Sequence, residues 1–134
     1  MEFVGIIVAV IVLHQISKFI RNWRLADEIE NETIEFLTLY NKMIKEMQKE
    51  NSKEIRHGGA GLKYKICVKS GDWGNFYKTM NEIAKEILAD YDKIDQNYWN
   101  WAETEKYIYL QKQRDIILDL SSKLSHYLWL NEIN

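Results

Sequence analysis

The chain has 134 residues, a formal net charge of −2, a single cysteine and no proline. This length predicts one modest domain, and the near balance of charge excludes a strong overall attraction to nucleic acid. A lone cysteine cannot form an internal disulfide, which fits a reducing compartment. Because proline breaks helix interiors, its absence favours a chain that is nearly all helix.

The first predicted element is a transmembrane anchor over residues 1–24. From Phe3 to Leu13 every residue is apolar or glycine, and apolar content continues to Ile20. Phe3 to Ile20 spans 18 residues, or about 27 Å of helix against a bilayer core of ~30 Å. The pattern predicts a minimal single-pass helix. The alternatives are a helix buried in a soluble fold or complex and a cleaved signal peptide, although the usual cleavage signals are missing.

A basic and aromatic collar follows the apolar run. Its members, the predicted membrane-interface residues, are Lys18, Arg21, Trp23 and Arg24. Lys and Arg can extend their charges to the lipid headgroups, and Trp gathers at membrane interfaces. Because excess Lys and Arg stays on the cytoplasmic side, we expect the N-terminus outside and the helical domain on the cytoplasmic or other interior side.

The second predicted element is an amphipathic helix over residues 25–56. Its apolar residues recur at helical spacing at Leu25, Ile29, Phe36, Leu37, Tyr40, Met43, Ile44 and Met47. Since no breaker separates this stretch from the anchor, we predict one continuous helix from about residue 3 to about residue 55.

Residues 57–75 are predicted to form a Gly-rich, basic connecting loop. Within it, Leu62–Lys69 begins with alternating residues, which indicates a short extended segment. A lone strand needs a partner, so it either pairs outside the chain or forms an ordered loop. Turn-forming residues close the loop, with Asp72 or Asn75 as the N-cap of a helix that begins at Phe76.

Basic side chains cluster around this loop. They are Lys53, Arg56, Lys63, Lys65 and Lys69. The cluster is either a solvated surface or a docking site for an acidic partner or anionic lipid. Nucleic acid is disfavoured as a partner because no recognised nucleic-acid-binding fold accompanies these residues.

Residues 76–131 are predicted to form a helical hairpin or one long helix. A seam of apolar residues seven apart favours one helix and consists of Met80, Ile87, Ile94, Trp101 and Ile108. A break is favoured by Asn100 and Glu103, which fit an N-cap and its N3 partner after a turn at 96–100. We favour the break, followed by a stripe at Leu110, Ile117, Leu120, Leu124, Tyr127 and Leu128.

The predicted fold class is therefore all-α. The N-terminal transmembrane helix continues into a long amphipathic helix, which packs with one or two antiparallel C-terminal helices in a coiled-coil-like bundle.

No pattern of catalytic or metal-binding residues is visible in the sequence. The three histidines lie far apart, without a companion ligand at metal spacing. Cys67, flanked by Ile66 and Val68, is predicted to be a buried and inert thiol, and His57 is the base that could be paired with it. The glycine-rich stretch lacks the Lys and Ser or Thr of a phosphate-binding loop. We expect no catalytic residue, metal or cofactor.

Aromatic and intramembrane polar residues provide further candidate contacts. Aromatic residues make up 13% of the chain, and Trp and Tyr are favoured at interfaces. The candidate partner-binding tryptophans are Trp73, Trp99, Trp101 and Trp129. Trp99 and Trp101 cannot both face one narrow core, because residues two apart point in different directions on a helix. His14 and Gln15, within the anchor, either lie near the headgroups or contact another membrane helix.

These features predict a membrane-anchored, non-catalytic scaffold or accessory subunit of a larger assembly. Its partners would be membrane lipid and other protein subunits, in a homo- or hetero-oligomer. The first alternative is a membrane-acting phage or bacterial factor of the lysis or superinfection-exclusion type. The second alternative is an unrecognised enzyme.

Overall fold

Three helices and one two-stranded sheet make up the described part of the chain. The computed structural model describes residues 2–49, 54–58, 62–94 and 104–133. In chain order the elements are α1 (Glu2–Met47), β1 (Ile55–His57), β2 (Ile66–Val68), α2 (Trp73–Tyr91) and α3 (Thr104–Ile133). The prediction of a mostly helical protein with a long apolar N-terminal helix is confirmed.

Helix α1 is unbroken over 46 residues, or about 69 Å at ~1.5 Å per residue. Its buried residues recur three or four positions apart at Asn22, Ala26, Ile29, Thr33, Phe36, Leu39, Met43 and Met47. This spacing keeps one side of the helix turned toward the rest of the fold. The helix ends before the predicted residue 55, because residues 48–54 contain no apolar side chain that could extend the buried side.

Strands β1 and β2 pair antiparallel. The register places Ile55 opposite Val68, Arg56 opposite Cys67 and His57 opposite Ile66. The extended segment thus finds its partner within the chain, which corrects the expectation of a partner outside it or an ordered loop. Side chains alternate across the pair, so that Ile55, Ile66 and Val68 enter the core while Arg56 and Cys67 face solvent.

The closed end of this hairpin requires a glycine at position 58. Gly58 has a φ of 153°, which L side chains rarely adopt. A Cβ there would lie 2.9 Å from Lys65 Cγ and 3.2 Å from Lys65 Cα. The two arms of the hairpin can therefore approach each other at this level because no side chain stands between them.

Helix α2 begins at Trp73, slightly before the predicted Phe76. Asp72 is its N-cap, and one of its carboxylate oxygens accepts a hydrogen bond from the Asn75 backbone N at 3.2 Å. Such a cap satisfies one of the backbone N–H groups left free at a helix start. Of the two predicted caps, Asp72 is therefore the one used.

Helices α2 and α3 are separate and antiparallel. Asn81 Nδ2 donates to Ser125 Oγ at 3.0 Å, and Ser121 Oγ donates to Asn81 Oδ1 at 2.7 Å. Nearer the start of α2, the rings of Tyr77 and Tyr127 lie 5.5 Å apart. Early residues of α2 thus meet late residues of α3. The predicted turn at 96–100 and the Asn100–Glu103 cap lie outside the described residues.

The predicted seam does not continue through both helices. Met80, Ile87 and Ile94 are buried, but Ile108 is 45% exposed. Helix α3 instead buries a different line of residues seven apart, namely Leu110, Ile117 and Leu124. The change of face follows from the break, because a chain that leaves the helix after Tyr91 need not keep its heptad phase in the next helix.

Helix α1 runs antiparallel to α2. The hydroxyls of Thr33 and Tyr91 share a hydrogen bond at 3.3 Å, and the ring of Tyr40 stacks on Phe76 at 5.8 Å. We call residues 3–20 of α1 its apolar half and residues 22–47 its packed half. The end of α2 therefore lies toward the apolar half, and the start of α2 lies toward the C-terminal end of α1. One hydrophobic core joins these helices with the hairpin.

Candidate membrane anchor and docking surfaces

The apolar half of α1 is not covered by the rest of the described chain. Among the described residues, α1 is the one helix long and apolar enough to cross a membrane, and none of its most apolar window is buried. Phe3 is 80% and Leu13 is 65% exposed. The core helix of a soluble fold would be covered by its neighbours, so this exposure argues against that alternative within the chain itself.

The predicted collar lies where the exposed half of α1 gives way to the packed half. Arg21, Trp23 and Arg24 are exposed, Lys18 is partly exposed, and Asn22 among them is already buried. Asn22 Nδ2 donates to the Lys18 carbonyl at 3.0 Å. Charged and aromatic side chains therefore surround the helix at the point where the uncovered apolar surface ends.

The two polar residues of the apolar half, His14 and Gln15, are both exposed. Gln15 lies seven residues before Asn22, so the two share a side of α1. Gln15 therefore continues the line of the buried stripe beyond the part of α1 that the other helices cover.

The predicted basic cluster divides into paired and solvent-facing residues. Arg56 pairs with Glu54 at 3.1 Å, and the Lys63 ammonium is engaged by two carboxylates. Lys65 and Lys69 are exposed, and Lys53 lies outside the described residues. The four basic residues that the structure describes therefore do not form one uniform positive surface.

Lys63 joins the hairpin to two helices. Its Nζ lies 2.6 Å from Glu32 Oε1 of α1 and 3.5 Å from Asp90 Oδ2 of α2. Asp90 is also paired with Lys93 at 2.9 Å. Beside this cluster the Tyr64 backbone N donates to Glu35 Oε1 at 3.2 Å. We call Glu32, Lys63 and Asp90 the ionic clasp, because they fasten the hairpin to α1 and α2.

The pKa values of the two carboxyl groups in the ionic clasp are shifted in opposite directions. Burial raises the pKa of Glu32, and the neighbouring Asp90 raises it further. Burial also acts to raise the pKa of Asp90, but hydrogen bonding to Glu32 and Lys93 outweighs it and the pKa is lowered. For Lys63, burial is outweighed by the carboxylates and the pKa is raised. Glu32 is thus the carboxyl group that protonates first as the pH falls.

Replacing Lys63 by Met is expected to destabilise the fold by about 1–2 kcal/mol at pH 7, because two adjacent, partly buried carboxylates lose the cation between them. The raised pKa of Glu32 sets the pH dependence. As pH falls toward and below that pKa, Glu32 becomes neutral, the repulsion disappears and the destabilisation shrinks. Guanidinium unfolding of the full chain in mild detergent, at pH 7 and near pH 4.5, measures both effects.

The matched control for this substitution is Lys65→Met, on an exposed neighbour in the same hairpin. It is expected to change stability by less than about 0.5 kcal/mol at either pH. A loss for Lys63→Met that was the same at both pH values would show that Lys63 acts through packing of its stem and not through the carboxylates.

Cys67 is exposed, so the prediction of a buried thiol is wrong. The flanking Ile66 and Val68 do enter the core, but alternation along β2 turns the residue between them to solvent. The Cys67 thiol donates to Glu54 Oε1 at 2.8 Å, and this hydrogen bond raises the pKa of the thiol. A raised pKa disfavours the nucleophilic thiolate.

His57 is not aligned with Cys67. The residue opposite Cys67 is Arg56, and His57 projects to the other side of the hairpin, where its Nδ1 lies 3.2 Å from Lys42 Nζ. Across the described ranges, no group of three or more His, Cys, Asp or Glu side chains could hold a metal ion.

The candidate tryptophans differ in their surroundings. Trp73 is partly buried in an aromatic cluster, with its ring 5.7 Å from Phe76 and 5.8 Å from Tyr77. Trp129 is 56% exposed and stacks on His126 at 6.1 Å. Trp73 therefore contributes to the fold, whereas Trp129 presents its ring at the surface. Trp99 and Trp101 lie outside the described residues.

Helix α3 carries a line of exposed apolar residues that was not predicted from the sequence. Tyr109, Ile116 and Leu130 are 38%, 46% and 39% exposed, and Tyr127, which was placed in the core stripe, is 39% exposed. Their separations of 7, 11 and 3 residues place them on one side of the helix. These residues also recur at helical spacing in the sequence. They were not recognised as a separate side of the helix because they lie next to the predicted stripe through Leu110 and Ile117.

Comparison of this chain with protein families, curated proteins and solved structures found no match.

Proposed function

We propose that this chain is a membrane-anchored, non-catalytic scaffold or accessory subunit of a larger protein assembly. The observation that supports it best is the uncovered apolar half of α1, which continues without a break into the packed half of the same helix. In this proposal the apolar half spans the bilayer, and the three helices form a coiled-coil-like bundle that contacts other subunits.

Because α1 is one continuous helix, such a subunit would hold its partners at a fixed position relative to the membrane. From Arg24 to Met47 the helix extends about 35 Å beyond the collar. Helices α2 and α3 pack along this part, so a surface such as that of Trp129 would be held at a set height above the membrane.

The collar supports an orientation with the N-terminus outside. Lys18, Arg21 and Arg24 follow the apolar half, whereas Glu2 is the charged side chain that precedes it. Lys and Arg near a span are retained on the cytoplasmic side. The free thiol of Cys67, exposed at the surface, is also what a reducing interior tolerates.

The position of the hairpin favours an acidic protein over anionic lipid as the partner of its lysines. Lys63 contacts Glu32, which lies about 18 Å along α1 from Ile20. That separation exceeds the Debye length of ~8–10 Å at physiological salt, so lipid charge would be largely screened there. Lys65 and Lys69, both exposed, are the residues that would meet the partner.

Crosslinking of the tagged, full-length chain in native membranes, followed by mass spectrometry, tests the proposal. We expect a reproducible set of crosslinked subunits, reduced by Lys65→Glu with Lys69→Glu and unchanged by the control Lys78→Glu on exposed α2 surface. A monomer without any partner would overturn the scaffold proposal. Depolarisation of cells by expression alone would instead support the membrane-acting factor.

A further inference from the structure

The four carboxyl oxygens of the ionic clasp have unequal surroundings. Glu32 Oε1 lies 2.6 Å from the Lys63 ammonium, and Asp90 Oδ2 lies 3.5 Å from the same ammonium. Asp90 Oδ1 lies 2.9 Å from Lys93 Nζ. The fourth oxygen, Glu32 Oε2, is buried and has no hydrogen-bond partner among the described residues. Because a buried polar atom without a partner is unfavourable, the ionic clasp lacks one hydrogen at this oxygen.

A proton on Glu32 Oε2 would supply that hydrogen. Side-chain hydrogen bonding between Glu32 and Asp90 affects the pKa of both groups, so the two carboxyl groups lie next to each other. A protonated carboxyl group donates a hydrogen bond, whereas an ionised one only accepts. Protonated Glu32 can therefore donate to Asp90 in a charge-assisted bond between α1 and α2, while its Oε1 still accepts from Lys63.

Charged and titratable groups from every neighbouring element surround Glu32. They are Lys63 and Tyr64 from the hairpin, Glu86 and Asp90 from α2, Lys93 just after α2, and Glu35 from α1. Burial raises the pKa of Tyr64 to about 12, so its phenol stays neutral. Asp90 and Lys63 stay charged from roughly pH 5 to 8, because their pKa values are shifted as described above. Glu32 is therefore the member of the ionic clasp whose charge changes as the pH falls from neutral.

We propose that Glu32 Oε2 is a proton-binding site shared with Asp90, and that the bound proton holds the β1–β2 hairpin closed against α1 and α2. With the proton in place, each oxygen of the two carboxyl groups has a partner. Without it, two adjacent, partly buried carboxylates repel each other on either side of Lys63, and the hairpin opens more often.

The direction of this effect follows from the burial of Glu32. When the hairpin opens, Glu32 separates from Lys63 and becomes solvated, so its pKa returns toward the ordinary 4.5. Burial raises that pKa in the closed state, which therefore binds the proton more tightly than the open state does. The proton's contribution to closure is complete below about pH 4.5 and is lost as the pH rises through the raised pKa of Glu32.

The hairpin also carries Lys65 and Lys69, both exposed. Closure would therefore fix the position of the surface proposed above to meet an acidic partner, which would bind more firmly as the pH falls. This consequence rests on the proposed function, whereas the proton-binding site does not depend on any partner.

Hydrogen exchange of the full-length chain in mild detergent, read by mass spectrometry on hairpin peptides, tests the proton-binding site. After correction for the intrinsic pH dependence of exchange, we expect hairpin protection to be about threefold higher near pH 5 than near pH 7.5. Glu32→Gln should keep the higher protection at both pH values, because its amide can donate to Asp90 as the protonated carboxyl group does. The control Glu28→Gln, on an exposed carboxylate one turn earlier in α1, should behave like the unmodified chain.

Three results would overturn the proposal. Hairpin protection that did not change with pH would exclude a linked proton. Unaltered pH dependence in Glu32→Gln would assign the proton to another group. Low protection in Glu32→Gln at both pH values would show that the charge of Glu32, paired with Lys63, is what keeps the hairpin closed. An absence of crosslinked subunits would instead overturn the scaffold proposal and leave the proton-binding site in place.

Discussion

Replacing Val8 by Lys is expected to move most of the chain out of the carbonate-resistant membrane fraction. Val8 lies in the middle of the strictly apolar run from Phe3 to Leu13 and is 53% exposed, with no cover from the rest of the described chain. A Lys at the centre of a membrane helix costs about 2.5–3.5 kcal/mol, or roughly 100-fold in the insertion equilibrium. The anchor is close to the minimum length, so few flanking residues can compensate by shifting the helix.

Two control variants make this result specific. Val8→Leu preserves the apolar character and should retain membrane binding, and Asn31→Lys adds the same charge at an exposed position beyond the collar. Both should sediment with membranes like the unmodified chain. If Val8→Lys sedimented equally well, the apolar half would not be what holds the protein in the membrane. If Asn31→Lys were also released, the change in net charge would be responsible.

Replacing Phe76 by Ala is expected to lower the free energy of unfolding by about 3–5 kcal/mol. Phe76 is fully buried, and its ring lies 5.8 Å from Tyr40, 5.7 Å from Trp73 and 5.7 Å from Tyr77. Removing it leaves a cavity where α1 meets the start of α2. Domains of this size are stable by about 5–15 kcal/mol, so much of the stability would be lost.

Guanidinium unfolding in mild detergent, followed by tryptophan fluorescence, measures this loss because Trp73 contacts Phe76 directly. Leu118→Ala is the control, since Leu118 is 40% exposed on α3, and it should cost less than about 1 kcal/mol. Similar losses for the two variants would mean that the aromatic cluster is not the centre of the core.

The sequence by itself determined the features that depend on local spacing. The buried side of α1 follows residues three and four apart, and the same helix carries the apolar half and its collar without a breaker. The sequence also narrowed the N-cap of α2 to Asp72 or Asn75, because a capping side chain bonds a backbone N–H within its own turn, and the structure selects Asp72. Local patterns sufficed here because the interactions join residues close together in the chain.

Candidate site residues were less predictable, because their roles depend on what packs beside them. Lys63 was selected as part of a basic docking surface, but its main contacts are Glu32 and Asp90 within the fold. Trp73 was selected as a candidate partner-binding residue, but it packs in the aromatic cluster. In each case the residue type indicated what kind of contact the side chain could make. The residues that it does contact belong to other elements of the fold, which the sequence pattern does not identify.

Tertiary structure alone decided the pairing of β1 with β2, the exposure of Cys67 and the exposure of a second apolar line on α3. Alternation in Leu62–Lys69 indicated the extended segment that contains β2, but β1 has three residues after a polar stretch, which is too short for alternation to reveal it as the partner. Cys67 faces solvent because the partner strand sets which side of the hairpin is buried. The second apolar line on α3 stays exposed because α3 packs mainly on α2. These outcomes depend on contacts between distant residues, which local spacing does not encode.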